Sequence, residues 1–403
     1  MPMKTRRASS LPAATLIAGH AIDDLYQGAV PALVTFLVAE RHYGYVAASG
    51  IVLAATLLSS VVQPVFGLLT DRWAMPWLVP VGMTMAGAGV GLSGLAERYP
   101  LTWLSVALSG LGVAAYHPEA ARLARIVTGG SHVGMSWFSV GGSIGFALGP
   151  ILTTAVVGGA GLSGSPLLIV PAIAGGLVTA AMLRRIRLAA APGSQQAQRA
   201  TARRDNWLQF ARLTVLVMCR SIVFFGLGAF VSLHVQDRLD AGPVAGNAAL
   251  VVLFGVGVAG TLLGGVLATR WGRLPTVRRA SVAAVPALAG LVFVPGPAVY
   301  LFVAAVAITI YVPFSLFVTL GQDYLPNRIG TASGVTLGLA VSVGGVAAPA
   351  LGAIADATTL QTALAVLIAL PVLSWLIARG MTEPDEPTSA LVSGTASRGG
   401  IPA

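Results

Sequence analysis

Gly67-Leu-Leu-Thr-Asp-Arg-Trp73 and Gly265-Val-Leu-Ala-Thr-Arg-Trp271 are two versions of one heptapeptide, 198 residues apart. Two more pairs keep nearly the same step. Tyr116-His-Pro118 matches Tyr311-Val-Pro313 at 195, and Gly145…Pro150 matches Gly344…Pro349 at 199. The chain is therefore a duplication. Each copy holds six apolar runs of the ~20 residues that a helix needs to cross a ~30 Å hydrocarbon core. They fall at roughly 11–38, 46–70, 76–96, 100–124, 132–158 and 165–183, then at 208–235, 246–269, 279–295, 298–322, 330–355 and 359–379. The predicted fold is all-α: a polytopic membrane protein of twelve transmembrane helices in two pseudo-symmetric six-helix bundles, 1–183 and 208–380. A basic linker (184–207) joins them, and a tail rich in Pro, Ser, Thr and Gly (381–403) is expected to be disordered.

Composition supports lipid as the main solvent. Of 403 residues 56% are hydrophobic and 9% charged, against ~25% charged in soluble domains. Glycine, at 49 residues, fits helices packed through small side chains. The formal charge of +10 suggests nucleic acid until the basic residues are placed. Twenty of the 24 fall in the termini and even-numbered connections, and three in odd-numbered ones (Arg41, Arg98, Arg238). Arg220 alone lies well inside a helix. That asymmetry orients a bundle with both termini in the cytoplasm, and no nucleic-acid partner is implied. The first run, interrupted by His20, Asp23 and Asp24, reads as an uncleaved helix rather than a signal peptide. One cysteine, Cys219, excludes an internal disulfide and a thiolate metal site, and the five histidines lack zinc spacing. Gly255-Val-Gly-Val-Ala-Gly260 matches a dinucleotide fingerprint, but inside a helix and with Arg278 and Arg279 where an acid is needed. No enzyme signature, cofactor or metal site is indicated.

The few ionisable residues inside the apolar runs are the candidate site. Helix 1 carries His20, Asp23, Asp24 and Gln27 within one arc of about 100°. An Asp at a helix centre costs ~2.5–3.5 kcal/mol on insertion scales, so two adjacent acids need a cavity, a cation or a proton. Asp23 and Asp24, with His20, are proton-coupling candidates, unless the stripe only faces water or pairs structurally with an arginine. In helix 4, Glu119 and Arg122 are i, i+3 partners with Tyr116 beside Glu119. They suit proton or anion handling, or a static ion pair. His117, a further proton-coupling candidate that could switch near neutral pH or merely hydrogen-bond a backbone carbonyl, projects to the opposite side of an ideal helix, although Pro118 can bend it. Arg220 in helix 7 is a candidate to bind an anion or to offset the helix 1 acids. Gln27, Tyr116, Gln63 and Arg122 complete the substrate-binding candidates, and Gln322-Asp323 is a weaker polar pair.

Two motifs concern movement. Gly67, Asp71 and Arg72 resemble the cytoplasmic signature between helices 2 and 3 of the major facilitator superfamily. The resemblance implies a latch that favours the outward-facing state. The second copy has Thr269 in place of the acid, so the latch is expected on one side only. Gly145, Gly149 and Pro150, following Gly141-Gly142, resemble the antiporter motif of drug-efflux branches, without the glycines expected after the proline. Plain helix packing explains them equally.

Taken together, His20-x-x-x-Asp24, Ser59-Ser-Val-Val-Gln-Pro64, Asp71-Arg72 with Met75-Pro-Trp77 and Pro80-x-Gly-Met83, and His117-Pro-Glu119 with Arg122-x-x-Arg125 resemble fosmidomycin resistance proteins. These are a bacterial efflux branch of that superfamily. The likeness continues through Gly141-Gly142, Gly149-Pro150, Leu325-Pro-x-Arg-Ile-Gly330 with Ser333-Gly334, Gly344-Gly345 and Ala355-Asp356. It implies proton-antiport export of small drugs or anionic compounds by alternating access, in a bacterial inner membrane and as a monomer. The partners implied are a small-molecule substrate, protons and the bilayer. The rival expectation is a proton-coupled importer of an organic acid or sugar phosphate. A membrane-bound sensor would need a soluble signalling domain that the linker and tail are too short to supply.

Overall fold

In hydrocarbon a backbone N–H or C=O finds no water, so a spanning segment must satisfy its own hydrogen bonds as a helix. The computed structural model describes residues 10–128, 132–189, 204–328, 332, 335–336 and 340–384. Lys4, Arg6, Arg7, linker residues 190–203, the Gly330 and Ser333-Gly334 motif and the tail from 385 lie outside the described residues, as does the side chain of Asp71. The helices are α1 (Ser10–Arg41), α2 (Tyr45–Arg72), α3 (Leu78–Ser93), α4 (Tyr99–Val127), α5 (His132–Ala160) and α6 (Ile169–Ala189). The second set is α7 (Trp207–Leu239), α8 (Pro243–Trp271), α9 (Arg273–Phe293), α10 (Val299–Tyr311 and Phe314–Tyr324, broken at Pro313), α11 (Ala340–Ala357) and α12 (Leu360–Val366 and Ala369–Arg379). There is no strand among the described residues. Among the described residues, nine helices are long and apolar enough to cross a membrane. Of the other three, α3 and α11 are shorter, and α4 carries His117, Glu119, Arg122 and Arg125.

Two boundaries differ from the sequence expectation. A 3-10 segment (Leu162–Leu168) leads into α6, which then runs past residue 183 to Ala189 and takes Arg184, Arg185 and Arg187 with it. Cations in a last helical turn are favoured by the helix dipole, and their stems lie along the apolar surface while the heads reach water. Five of the seven tryptophans (Trp73, Trp77, Trp137, Trp207, Trp271) are exposed near helix ends on the side of the termini, where an aromatic belt marks a membrane interface.

Packing repeats the duplication. In the first half α1 lies on α5, α2 on α4, and α3 on α4 and α6; in the second, α7 lies on α11, α8 on α10, and α9 on α10 and α12. The halves meet through α2 against α11 and α5 against α8, two contacts that a twofold axis along the bundle exchanges.

The end of the bundle opposite both termini, the distal end, is stitched across this interface. Asp356 of α11 accepts hydrogen bonds from the backbone N–H of Tyr45 (2.9 Å) and Val46 (3.0 Å), the free donors at the start of α2. Asn247 of α8, 1% exposed, donates to the Ala32 carbonyl (3.2 Å) and Thr154 Oγ1 (3.0 Å). Its Oδ1 lies 3.2 Å from Thr35 Oγ1 and accepts from Ser232 Oγ (3.0 Å). Ser60 and Ser342 meet at 2.9 Å farther along α2.

Candidate functional site

The site begins where α1 and α5 touch backbone to backbone. A Cβ on Gly145 would fall on the Ala21 carbonyl, and one on Gly149 would lie 2.5 Å from Ala29 N and Leu25 O. Gly142, on the same face, leaves the space that the Asp24 carboxylate and the His20 ring occupy. Into it α1 presents His20, Asp23 and Asp24, which are 8%, 0% and 7% exposed. His117 arrives from α4. It faces the helix 1 acids and not the far side of α4, which corrects the expectation drawn from an ideal helix; Pro118 lies inside α4 beside it.

Each histidine has one nitrogen fixed by the backbone. His20 Nδ1 lies 2.7 Å from the Phe138 carbonyl and His117 Nδ1 lies 3.0 Å from the Val113 carbonyl. A carbonyl only accepts, so both Nδ1 atoms carry hydrogen. Both Nε2 atoms then face Asp24, His20 at 3.2 Å from Oδ2 and His117 at 3.2 Å from Oδ1. Gln27 Nε2 donates to Oδ1 as well, at 2.7 Å. Each imidazole–carboxylate contact needs one proton. The trio is satisfied by two protons, wherever they sit, at a net charge of +1. Asp23, whose Oδ2 is 3.5 Å from His117 Nδ1, offsets that charge when ionised. Among the described residues neither Asp23 oxygen has a hydrogen-bond partner, and the buried Tyr116 hydroxyl has none either. The ring of His20 stacks on Phe138 at 4.1 Å and lies 6.2 Å from Tyr116. His20, Asp24 and His117 offer ligand atoms within 4.8 Å of one another; their mutual hydrogen bonds account for that spacing, and we assign no metal ligand.

The other sequence candidates separate from this cluster. Glu119, fully buried, takes a two-pronged bond from Arg122: Nε to Oε2 at 2.8 Å and Nη2 to Oε1 at 2.5 Å. Arg220 does not offset the helix 1 acids. Its Nε donates to the Ile310 carbonyl at 2.6 Å, and its guanidinium lies 4.7 Å from the Phe314 ring centre, 5.4 Å from Phe224 and 5.7 Å from Tyr311. Ring faces there replace the carboxylate partner that was expected. Among the described residues a Cβ on Gly67 would meet nothing within 4 Å, and Arg72 is exposed. Gln63 is half-buried outside the cluster, and Asp323 pairs with Arg273 at 2.5 Å.

Beside the cluster, between the halves, lies a narrow cavity of about 30 Å³ in this conformation, room for about one water. Gln27 and Thr56 are its polar walls, and Phe146, Phe224, Phe225 and Phe254 supply most of the aromatic surface. Sequence reasoning found Gln27 but missed the phenylalanines and Asn247. An uncharged ring in an apolar helix carries no mark of which way it faces. Asn247, a lone amide near the start of an apolar run, was the one legible signal.

Comparison with known proteins agrees with this architecture. The sequence pattern of the Major Facilitator Superfamily matches residues 16–349. The chain is 28% identical over 366 residues, 89% of each chain, to the fosmidomycin resistance protein of Escherichia coli (strain K12). It is 28% identical over 365 residues, again 89% of each, to the uncharacterized MFS-type transporter YfnC of Bacillus subtilis (strain 168). Among solved structures, a bacterial homolog of the human lysosomal transporter Spinster, inward-facing and occupied, superposes with a TM-score of 0.78 at 13% identity, covering 93% of this chain and 97% of that one. The fucose:proton symporter FucP in its outward conformation gives 0.62 at 13% identity, covering 93% and 99%. The chain belongs to the Major Facilitator Superfamily and is a multi-pass membrane transporter.

Proposed function

We propose that this transporter is a proton-coupled antiporter that exports small drugs or anionic compounds from the cytoplasm, fosmidomycin among the compounds to test. The observation that carries the reading is the buried cluster of Asp23, Asp24, His20 and His117 touching a cavity between the halves. A group that must exchange protons and a space that takes a substrate share one residue, Gln27. Asp24 and the two histidines exchange the coupling proton. Asp23 balances the charge, and Tyr116 supplies a hydroxyl beside them. Glu119 and Arg122 are a second candidate relay on α4. In the positive-inside orientation both termini are cytoplasmic, in a bacterial inner membrane, and the stitched distal end closes the periplasmic side. Gly67, Asp71 and Arg72 form the latch when the opposite side closes.

Export is supported by the name of the Escherichia coli relative, since resistance to an antibiotic is what removing it from the cell produces. The cavity wall has no cationic side chain among its described lining residues. Arg220 approaches only through Phe224, a wall residue.

The test is transport in proteoliposomes. An imposed pH gradient, acidic on the distal side, is expected to drive fosmidomycin against its concentration gradient. Asp24→Asn is expected to abolish that drive at unchanged expression and melting temperature. Full gradient-driven transport in Asp24→Asn would remove the cluster from the mechanism.

A further inference from the structure

We propose that Gln27 is the residue through which substrate and proton sense each other: one carboxamide that donates to Asp24 on one side and accepts a substrate N–H or O–H on the other. The inference rests on the proton-coupled reading above and adds the link and the substrate class.

A glutamine amide has two N–H donors and one carbonyl acceptor. In Gln27 one donor is spent on Asp24 Oδ1 at 2.7 Å. Nothing among the described residues donates to its Oε1, and the side chain is half-buried in the cavity wall. Thr56, the other polar wall residue, already directs its hydroxyl to its own helix, 3.1 Å from the Val52 carbonyl and 3.3 Å from Leu53. Among the described residues, the amide's open positions are therefore the Oε1 acceptor and the second Nε2–H. A small compound that presents an N–H or O–H to Oε1 matches this wall once the halves part enough to widen the cavity.

The same geometry sets the sign of coupling. Hydrogen bonds in a chain polarise one another. A donor placed on Oε1 draws electron density from the amide nitrogen and strengthens its bond to Asp24, which favours the carboxylate and releases a proton to water. Substrate on and proton off is the exchange that an antiporter needs. Reciprocity requires that proton loss tighten substrate binding by the same factor. The groups facing Asp24 are His20 and Asp23 of α1 and His117 and Tyr116 of α4. From α5 comes backbone, and Arg220 of α7 is held by the Ile310 carbonyl. Gln27 is the one member that also reaches the cavity.

The experiment compares the wild type with Gln27→Met, which keeps the length of the side chain and removes both hydrogen-bonding functions. Gln27→Asn serves as a second, shorter amide should Met misfold. Fosmidomycin affinity is measured by calorimetry in nanodiscs at pH 6 and pH 8. The wild type is expected to bind about tenfold or more tightly at pH 8, within the normal 5–150-fold range of such coupling. In Gln27→Met the ratio should fall below about twofold, and adding Gln27→Met to Asp24→Asn should change it no further. A ratio of wild-type size in Gln27→Met, or effects that simply add, would overturn the inference. A ligand-free arm follows the infrared carboxyl band that Asp24→Asn removes. Its titration midpoint should differ between wild type and Gln27→Met, and an identical midpoint also overturns the proposal. A wild type that binds with no pH dependence fails the proton-coupled reading instead.

Discussion

Replacing Asn247 with alanine should open the distal end. Asn247 belongs to the second half, and three of its contacts cross to the first: the Ala32 carbonyl, Thr154 Oγ1 and Thr35 Oγ1. Interhelical hydrogen bonds in a membrane protein average about 0.6 kcal/mol each in double-mutant cycles, so three of them hold the halves together by about 2 kcal/mol. The estimate stays near the average because the partners left behind have a local alternative. Thr35 Oγ1 already lies 2.7 Å from the Ala32 carbonyl of its own helix. Two kcal/mol is about a 30-fold change in an equilibrium constant, so a distal-open fraction of about 3% would rise to about one half. Cys219 is the only cysteine, which allows spin labels at Glu40 and Val244, exposed positions on opposite halves near the distal end, in a Cys219→Ala background. Pulsed dipolar spectroscopy then reads the two populations directly. Ser232→Ala is the control: it breaks a bond within the second half and should shift the populations less than about twofold. An open fraction in Asn247→Ala no larger than in that control would refute the reasoning.

Two further outcomes follow from the same coordinates. Asp356→Ala removes the acceptor of two free N–H groups at the start of α2. Loss of such a cap costs ~0.5–2 kcal/mol, so the distal-open fraction should rise by up to about 30-fold in the same assay, and no change would show that the cap does not bear on closure. Gly149→Ala places a methyl 2.5 Å from Ala29 N and Leu25 O. Overpacking of this kind costs ~1–3 kcal/mol, expected as a lower melting temperature in detergent; an unchanged one would mean that α1 and α5 separate at no cost.

Much of the fold could be read from residue patterns because a bilayer allows few solutions. The duplicated heptapeptide and the twelve apolar runs leave little choice but paired helical bundles. The members of the site were legible for the same reason: His20, Asp23, Asp24, His117 and Glu119 stand out wherever charge is expensive. Their grouping was not. An ideal-helix projection turned His117 away from helix 1, whereas the structure turns it toward Asp23 and Asp24. Arg220 looked like a counter-ion because charge predicts charge, yet aromatic faces and a carbonyl surround it. The cavity was the least legible part. Phe146, Phe224 and Phe254 belong to three helices from two halves, and only the packing of α5, α7 and α8 brings them to one space.

Every group in the carboxylate–imidazole cluster comes from α1, α4 or α5, and Gly145 and Gly149 hold α1 and α5 together at backbone distance. When such a transporter changes shape, the cluster therefore travels as luggage inside a single moving block and is never assembled or dismantled. If the cluster exchanges protons as proposed, the timing of that exchange is a matter of which compartment's water wets it, set by the wall that the opposite half presents.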